Sequence, residues 1–559
     1  MKRALLTLFG LAPLALPAAA QNLTTDAGKP VVQITDASIQ GGQAVTWTKD
    51  NVYVLNGFVY VEDGATLTIQ AGTVVKAQQG TGPAASALVI CRGARLFALG
   101  SPTEPIVFTT VLDRVAVPDL STANGGADGV DYRESGSRSL WGGIVLLGRA
   151  SVNIGDNPLV EGLPNDDRAR YGPGPGLAAR DDDNSGTLRF VSIKYSGSVI
   201  EAGKELQSLT LAGVGSGTTV EYVESFMSGD DGFEWFGGTV NTRYLAVYGA
   251  DDDAFDYDEG LRGNHQFWFA VQTAANGDKL GEFDSGNATP SIKATPLAAP
   301  NVYNATLVGR GRTAAGGQAA LIYKEYGGGA FRNSVLTDVN NRAVTINADT
   351  RERFDLGGID FRDNVVYVTG AMSDYAAAQT AWLAPASGNR TVDPMLTAIA
   401  REHTDAVRLD PRPLAGSPVL TGAGTVPAGL VQTAYVGAFD AATNWLAPWT
   451  AMAYNGIAAT ANPVAREDDA ALGGLAVGVP SPNPARANVS LPFVLDRPER
   501  VRVAAYDVLG REVAVLLDET LAAGPQTAVL DASSLAAGLY VVRVAVDGRV
   551  TSRTLAVAR

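Results

Sequence analysis

Two stretches of the chain repeat one another at an offset of 22 residues, and no other feature limits the possible folds so much. Ser228-Gly229-Asp230-Asp231-Gly232-Phe233-Glu234-Trp235 aligns with Ala250-Asp251-Asp252-Asp253-Ala254-Phe255-Asp256-Tyr257, and Glu221-Tyr222-Val223 with Arg243-Tyr244-Leu245. A repeat in the twenties, built of two or three short β-type runs, cannot bury an apolar face alone and must stack on copies of itself. Stacked coils about 4.8 Å apart pair every strand with its equivalent in the next coil. Parallel connections of this kind are right-handed. A β-propeller fits poorly, because its blades need about forty residues. The expected architecture from about residue 21 to 450 is therefore a right-handed parallel β-helix with end caps.

Looser echoes extend the pattern. Val302-Tyr303-Asn304, Phe331-Arg332-Asn333 and Phe361-Arg362-Asp363-Asn364 recur with wider spacing, as insertions at a corner would produce. Their Asn residues are expected to mark turns and to form stacked amide ladders. The run Asp410 to Pro418, with Tyr435 to Phe439 and Asn444-Trp445, reads as closing coils. Residues 451–479 are rich in Ala, Gly and Pro with an acidic patch at Arg466-Glu467-Asp468-Asp469, and read as a linker.

Composition narrows the function classes. The 559-residue chain carries 58 acidic and 43 basic residues, a net charge of −15, which argues against nucleic acid as a partner. One Cys and two His exclude a disulfide scaffold and a Cys- or His-rich metal centre. Cys91 lies in the apolar run Ala87 to Gly100 and is expected to be buried and inert. His403 has no partner by sequence and reads as a surface residue. Lys324 and Glu325 either line a groove or alternate outward from the core.

The two ends of the chain speak of export. Residues 1–20, MKRALLTLFGLAPLALPAAA, have the charged start, short apolar stretch and small-residue end of a secretory signal peptide. No later run is long and apolar enough for a transmembrane helix. From residue 480 the pattern becomes clean alternation, as in Val489-Ser490-Leu491 and Val501-Arg502-Val503, with Gly at the turns, which points to a small Ig-like β-sandwich over residues 480–559. Pro482-Asn483-Pro484, Tyr506-Asp507-Val508-Leu509-Gly510-Arg511-Glu512 and Gly538-Leu539-Tyr540-Val541-Val542-Arg543, in that order, resemble the C-terminal sorting domain of type IX secretion substrates of Bacteroidota and their relatives. The resemblance implies handling by type IX secretion machinery and a place outside the cell, released or surface-anchored. The middle of the chain, from Asp181 to Gly260, resembles a group of exported bacterial β-helix proteins. That likeness implies a fold and no activity.

The repeat also concentrates acid. If the coils register, Asp230, Asp231 and Glu234 lie beneath Asp252, Asp253 and Asp256, and like charges so close either raise a pKa or recruit a cation. Three readings stay open. In the first the cluster is a polysaccharide-degrading site, hydrolase or lyase, with Asp230, Asp231, Asp252 and Asp253 as catalytic acids assisted by His265. The pattern departs from β-helix polygalacturonases, since His265 stands in Gly263-Asn264-His265 less than one coil on and no Arg-x-Lys follows. In the second, calcium is bound, either by the cluster or by the Asp181, Asp183, Ser185 loop and Asp251. In the third, Asp and Asn before Gly merely satisfy turns. Glu234, Trp235, Asp256, Tyr257 and Trp268 together resemble a sugar-binding surface of rings beside acids. The expectation drawn is a monomeric secreted or surface-displayed binding or adhesion protein with an extended glycan-binding face, the alternative being the enzyme.

Overall fold

The computed structural model describes residues 25–113, 137–286, 294–459, 475–477, 480 and 485–558, except positions 27, 202, 315, 402–406, 496–497, 508–510, 523 and 547–548. The signal segment 1–20, His403, the acidic patch at 466–469 and Pro482-Asn483-Pro484 lie outside them. The chain divides into two compact units near residue 461.

The first unit is a right-handed parallel β-helix. One side is a sheet of nine parallel strands, taken in chain order: β1 (Phe58–Val61), β2 (Ala87–Ile90), β3 (Gly143–Leu147), β4 (Leu209–Ala212), β5 (Phe233–Phe236), β6 (Phe255–Asp258), β7 (Gly281–Phe283), β8 (Leu321–Tyr323) and β9 (Val344–Ile346). A larger sheet wraps the other two sides. The inward side chains of the nine strands form columns along the axis. Ile90, Leu146, Leu211, Trp235, Tyr257, Phe283, Tyr323 and Ile346 occupy one column, each in register with the next. All are buried in one continuous core, and burial of such side chains is worth about 1.5–3 kcal/mol apiece.

The offset of 22 is seen directly in the pairing of β5 with β6, where Phe233, Glu234 and Trp235 meet Phe255, Asp256 and Tyr257. It recurs where Glu221 meets Arg243 and Val223 meets Leu245. Between those last two pairs the strands bend, and the bending residue has positive φ in consecutive coils: Phe190, Tyr222, Tyr244, Phe267, Asn304, Asn333 and Asp363. The four aromatics stack at centroid distances of 4.5, 4.3 and 4.7 Å. Non-Gly residues in this conformation are costly, and face-to-face stacking along the column offsets the cost.

Amide ladders do form, at positions one step removed from some of those expected. Asn364 accepts from Ser334 N–H at 2.9 Å, and Asn389 accepts from Asn364 N–H at 3.0 Å. A second ladder joins Asn241, Asn264 and Asn301. Asn304 and Asn333 instead reach the segment after residue 418, Asn333 exchanging bonds with Gly424 and Asn304 donating to Tyr435 O.

That segment corrects the reading of 410–445 as closing coils. It runs back along the bent corner as a strap, from Asn333 to Trp445 and Trp449, which meet Tyr244 and Tyr222 edge-on. The late end of the core is closed by the helix Ala376–Leu383, whose Trp382 packs on Phe361 and Phe354. Ala378 and Trp382 are the buried residues of that helix, while the strap spends N–H groups such as those of Gly424, Val431, Gly437 and Ala438 on the bent corner.

The strap ends in the short helix Ala451–Tyr454, with Met452 fully buried, so residues from 451 belong to the first unit and not to a linker. At the other end of the expected linker, Leu475–Val477 pairs antiparallel with Asn488–Leu495. The second unit has antiparallel sheets of three and four strands. Alternate residues Val489, Leu491, Phe493, Val501, Val503, Val542 and Val544 share its core, as the alternation implies for a sandwich.

Candidate functional site

One outward row runs along the nine-stranded sheet: Tyr60, Val89, Val145, Thr210, Glu234, Asp256, Glu282, Ile322 and Thr345 stand in register. The row changes chemistry half-way. Its apolar start is roofed by the excursion between β3 and the strand Gly186–Lys194, whose Val152, Val160, Leu163 and Tyr171 pack on Tyr60, Val89, Val145 and Phe236. On β5, β6 and β7 the outward residues are the acids Glu234, Asp256 and Glu282, before the row returns to Ile322 and Thr345, yet Glu234 is only 7% exposed. Tyr171 of the excursion donates its hydroxyl proton to Glu259, which also lies buried beside them.

The turns that lead into β5, β6 and β7 add three further levels of acid. Asp253 N–H donates to Asp231 Oδ1 at 2.9 Å, and Lys279 N–H donates to Asp253 Oδ1. Gly232 is needed in the first of these turns, because a Cβ there would stand 2.6 Å from Ala254 O. Asp231 and Asp253 are buried, Asp230 is half-buried and Asp252 is exposed. Four triplets bring carboxylate oxygens within 4.8 Å of one another: Asp230/Asp231/Asp252, Asp231/Glu234/Asp256, Asp252/Asp253/Asp278 and Asp253/Asp256/Glu282.

Burial, followed by mutual repulsion, moves these groups in one direction. Asp230 is pushed up to about 7, by burial first and Asp252 second. Asp231, Glu234 and Asp256 all lie well above the usual carboxylate range for the same two causes. Lys324 pairs with Glu282 and, at 3.3 Å, with Asp284. Burial opposes its charge, but the attraction of Asp284 and Glu282 outweighs burial and holds its pKa above the ordinary lysine value. It is therefore a fixed cation and a poor base.

Several sequence expectations are corrected by placement. His265 lies inside the solenoid, fully buried, with its ring against Trp235 and Trp268 and Nδ1 2.9 Å from Thr242 Oγ1. Burial lowers its pKa to about 3, so it is neutral and out of reach of the acids' outer face. Trp235, Tyr257 and Trp268 are core residues as well; Trp235 and Trp268 stack at 5.2 Å, and Tyr257 stacks on Phe283 at 4.5 Å. They offer no surface to a sugar ring, because strand alternation sends them inward while Glu234 and Asp256 point out.

The residues of the expected calcium loop are engaged by protein partners. Asp181 accepts from Ser151 N–H and Oγ at 2.9 and 2.7 Å and pairs with Arg262. Asp183 is buried and accepts from the Arg149 backbone N–H and, at 3.5 Å, from Ser185 Oγ. Asp251 is bonded by Asn276 and lies 3.4 Å from Arg138. Among the described residues, none of these four joins a carboxylate triplet. Cys91 is buried as expected, and burial pushes its thiol up to about 12.

Sequence reasoning missed Asp278, Glu282 and Asp284. The signal was present: Asp278-Lys279-Leu280-Gly281-Glu282-Phe283-Asp284 matches Asp252 to Asp258 at an offset of 26. Extra residues, one before the pairing of Ala246 with Phe269 at an offset of 23 and three in the corner after Val271, break the 22-residue spacing and hide it.

The family described as pectate-lyase like beta helix domain matches residues 39–120 and 132–393, more than half of the chain. The chain belongs to that family. A second match, the secretion system C-terminal sorting domain, covers residues 481–558. Comparison with curated proteins yields no match. This member of the pectate-lyase-like β-helix family is thus exported by type IX secretion to the cell surface or extracellular space. No helix among the described residues is long and apolar enough to cross a membrane.

Proposed function

We propose that the chain is an extracellular binding protein that holds a glycan polymer along the solenoid and does not cleave it. The observation that carries this reading is the closure of the inner acid pair. Asp231 and Asp253 spend an oxygen each on backbone N–H groups of the next coil, and His265 is sequestered in the core. A hydrolase needs one accessible acid and one accessible base flanking the scissile bond. The family description supports polysaccharide as the ligand class. At the exposed end of the Asn241–Asn264–Asn301 ladder, Asn241 offers an amide suited to a sugar hydroxyl, whereas Asn264 is spent on Asn301 and Ala428 O.

One observation favours a second reading. Asp230, with its pKa raised to about 7, stands at the surface beside exposed Asp252, an arrangement that suits a general acid and its partner. A panel of neutral and uronate polysaccharides, scored for both retention of the protein and release of products, separates the two. Retention without products is expected. Product release that disappears in Asp230→Asn overturns the binding reading in favour of catalysis, and failure to retain any polysaccharide overturns the glycan assignment.

A further inference from the structure

We infer that Asp231, Glu234 and Asp256 form a divalent-cation site suited to calcium on the outer face of β5 and β6. This inference is independent of the glycan reading above. Register places Glu234 beside Asp256 on adjacent coils, and the turn before β5 brings Asp231 to the same point, so one oxygen from each lies within 4.8 Å of the others.

The second observation is the state of the buried oxygens. Glu234 is 7% exposed, and its Oε2 is buried without a hydrogen-bond partner; Asp256 Oδ1 is in the same condition. Buried carboxylate oxygens normally find donors, because burial of an unpaired charge is very costly. Among the described residues no Lys or Arg pairs with any of the three acids, although cations stand one coil further along. Lys279 pairs with Asp278, and Lys324 pairs with Glu282 and Asp284. The neighbouring triplet of Asp253, Asp256 and Glu282 is already balanced in part by Lys324, so the charge left over belongs to Asp231, Glu234 and Asp256.

Coordination geometry and donor type select the ion. Calcium takes six to eight oxygen ligands in a flexible geometry, which a carboxylate set drawn from two coils and a turn can supply. Magnesium demands near-ideal octahedral geometry and gives up its waters reluctantly, which suits such a set less well. A donor set made only of carboxylates favours a hard cation over zinc or copper. Asp256 also belongs to the next triplet, so it can bridge the ion to the following coil. The cation would tie consecutive coils together on the one face where their side chains repel.

The test uses the full secreted chain, freed of metal with a chelator and titrated with calcium chloride by calorimetry. Saturable uptake of calcium and a rise in melting temperature are expected, with magnesium binding more weakly. Glu234→Gln should lose about tenfold or more in calcium affinity. In chelator the same variant should melt no lower than the wild type, which shows that it folds. Asp181→Asn should bind like the wild type. The inference is overturned if the wild type takes up no calcium, if Glu234→Gln binds it unchanged, or if Asp181→Asn is the variant that loses it.

Discussion

Glu224 and Glu234 are buried glutamates on consecutive strands of one coil, and they are treated in opposite ways. Glu224, on the strand Thr219–Phe226, accepts from Ser192 Oγ at 2.6 Å and from the N–H groups of Ala451 and Met452 at 2.6 and 3.1 Å. Lys194 nearby favours its charge. Here the fold itself supplies the donors, through the end of the strap. Glu234 has an orphaned oxygen and only acids around it. A buried carboxylate with protein partners acts as a structural anchor, whereas one surrounded by other acids is ready for a ligand that the chain does not encode.

The contrast predicts effects of opposite sign. Glu224→Ala strands one hydroxyl and two N–H donors and unpins the strap, and should cost about 3–5 kcal/mol in denaturant unfolding. A loss below about 1 kcal/mol would break the comparison by showing that the strap does not depend on Glu224.

The pH dependence is next in size. Burial raises Glu224 to about 7 despite its donors. The folded state then holds this proton more tightly than the unfolded chain does, where a carboxyl group titrates near its ordinary value. Stability from this group is therefore fully present below about pH 4.5 and is lost as pH rises through about 7, a change of about 3 kcal/mol. Unfolding midpoints between pH 5 and 8, taken in saturating calcium so that the Glu234 row stays ionised, should fall with pH. Glu224→Gln should flatten the slope.

Glu234→Gln in chelator should behave oppositely to Glu224→Ala. Removal of one ionisable group from a buried, mutually repelling set should stabilise the chain by about 1 kcal/mol, read as a higher unfolding midpoint. In calcium the same substitution should destabilise relative to wild type. The smallest effect is reserved for a position where neither logic applies. Asn301→Ala removes one half-exposed rung of the amide ladder and should cost about 0.5–1 kcal/mol.

The periodicity of the sequence carried the fold a long way. Phe233-Glu234-Trp235 and Phe255-Asp256-Tyr257 pair as the offset of 22 requires, and so do Glu221 and Arg243. What the pattern could not resolve was which side of each strand is the interior, because both sides of β5 are covered. Phe233, Glu234, Trp235 and Phe236 are all buried, so exposure no longer separates apolar from polar positions. That ambiguity let Trp235, Tyr257 and Trp268 pass for a sugar platform and His265 for a catalytic group. The roof over the row comes from residues 148–185, far from β6 in sequence and without internal repeat, and nothing in the local pattern announces where it folds. The strap is similar: its contact with Glu224 spans 227 residues. The third acidic level was hidden by extra residues that changed the spacing and left the chemistry intact.

The claim that an encoded row of unpaired acids is completed by a cation is tested most directly by a crystal structure grown in calcium. The account predicts one strong density peak about 2.3–2.6 Å from oxygens of Asp231, Glu234 and Asp256. A map without that peak, with Glu234 and Asp256 sharing a proton at an O···O distance of about 2.5–2.7 Å, would contradict it.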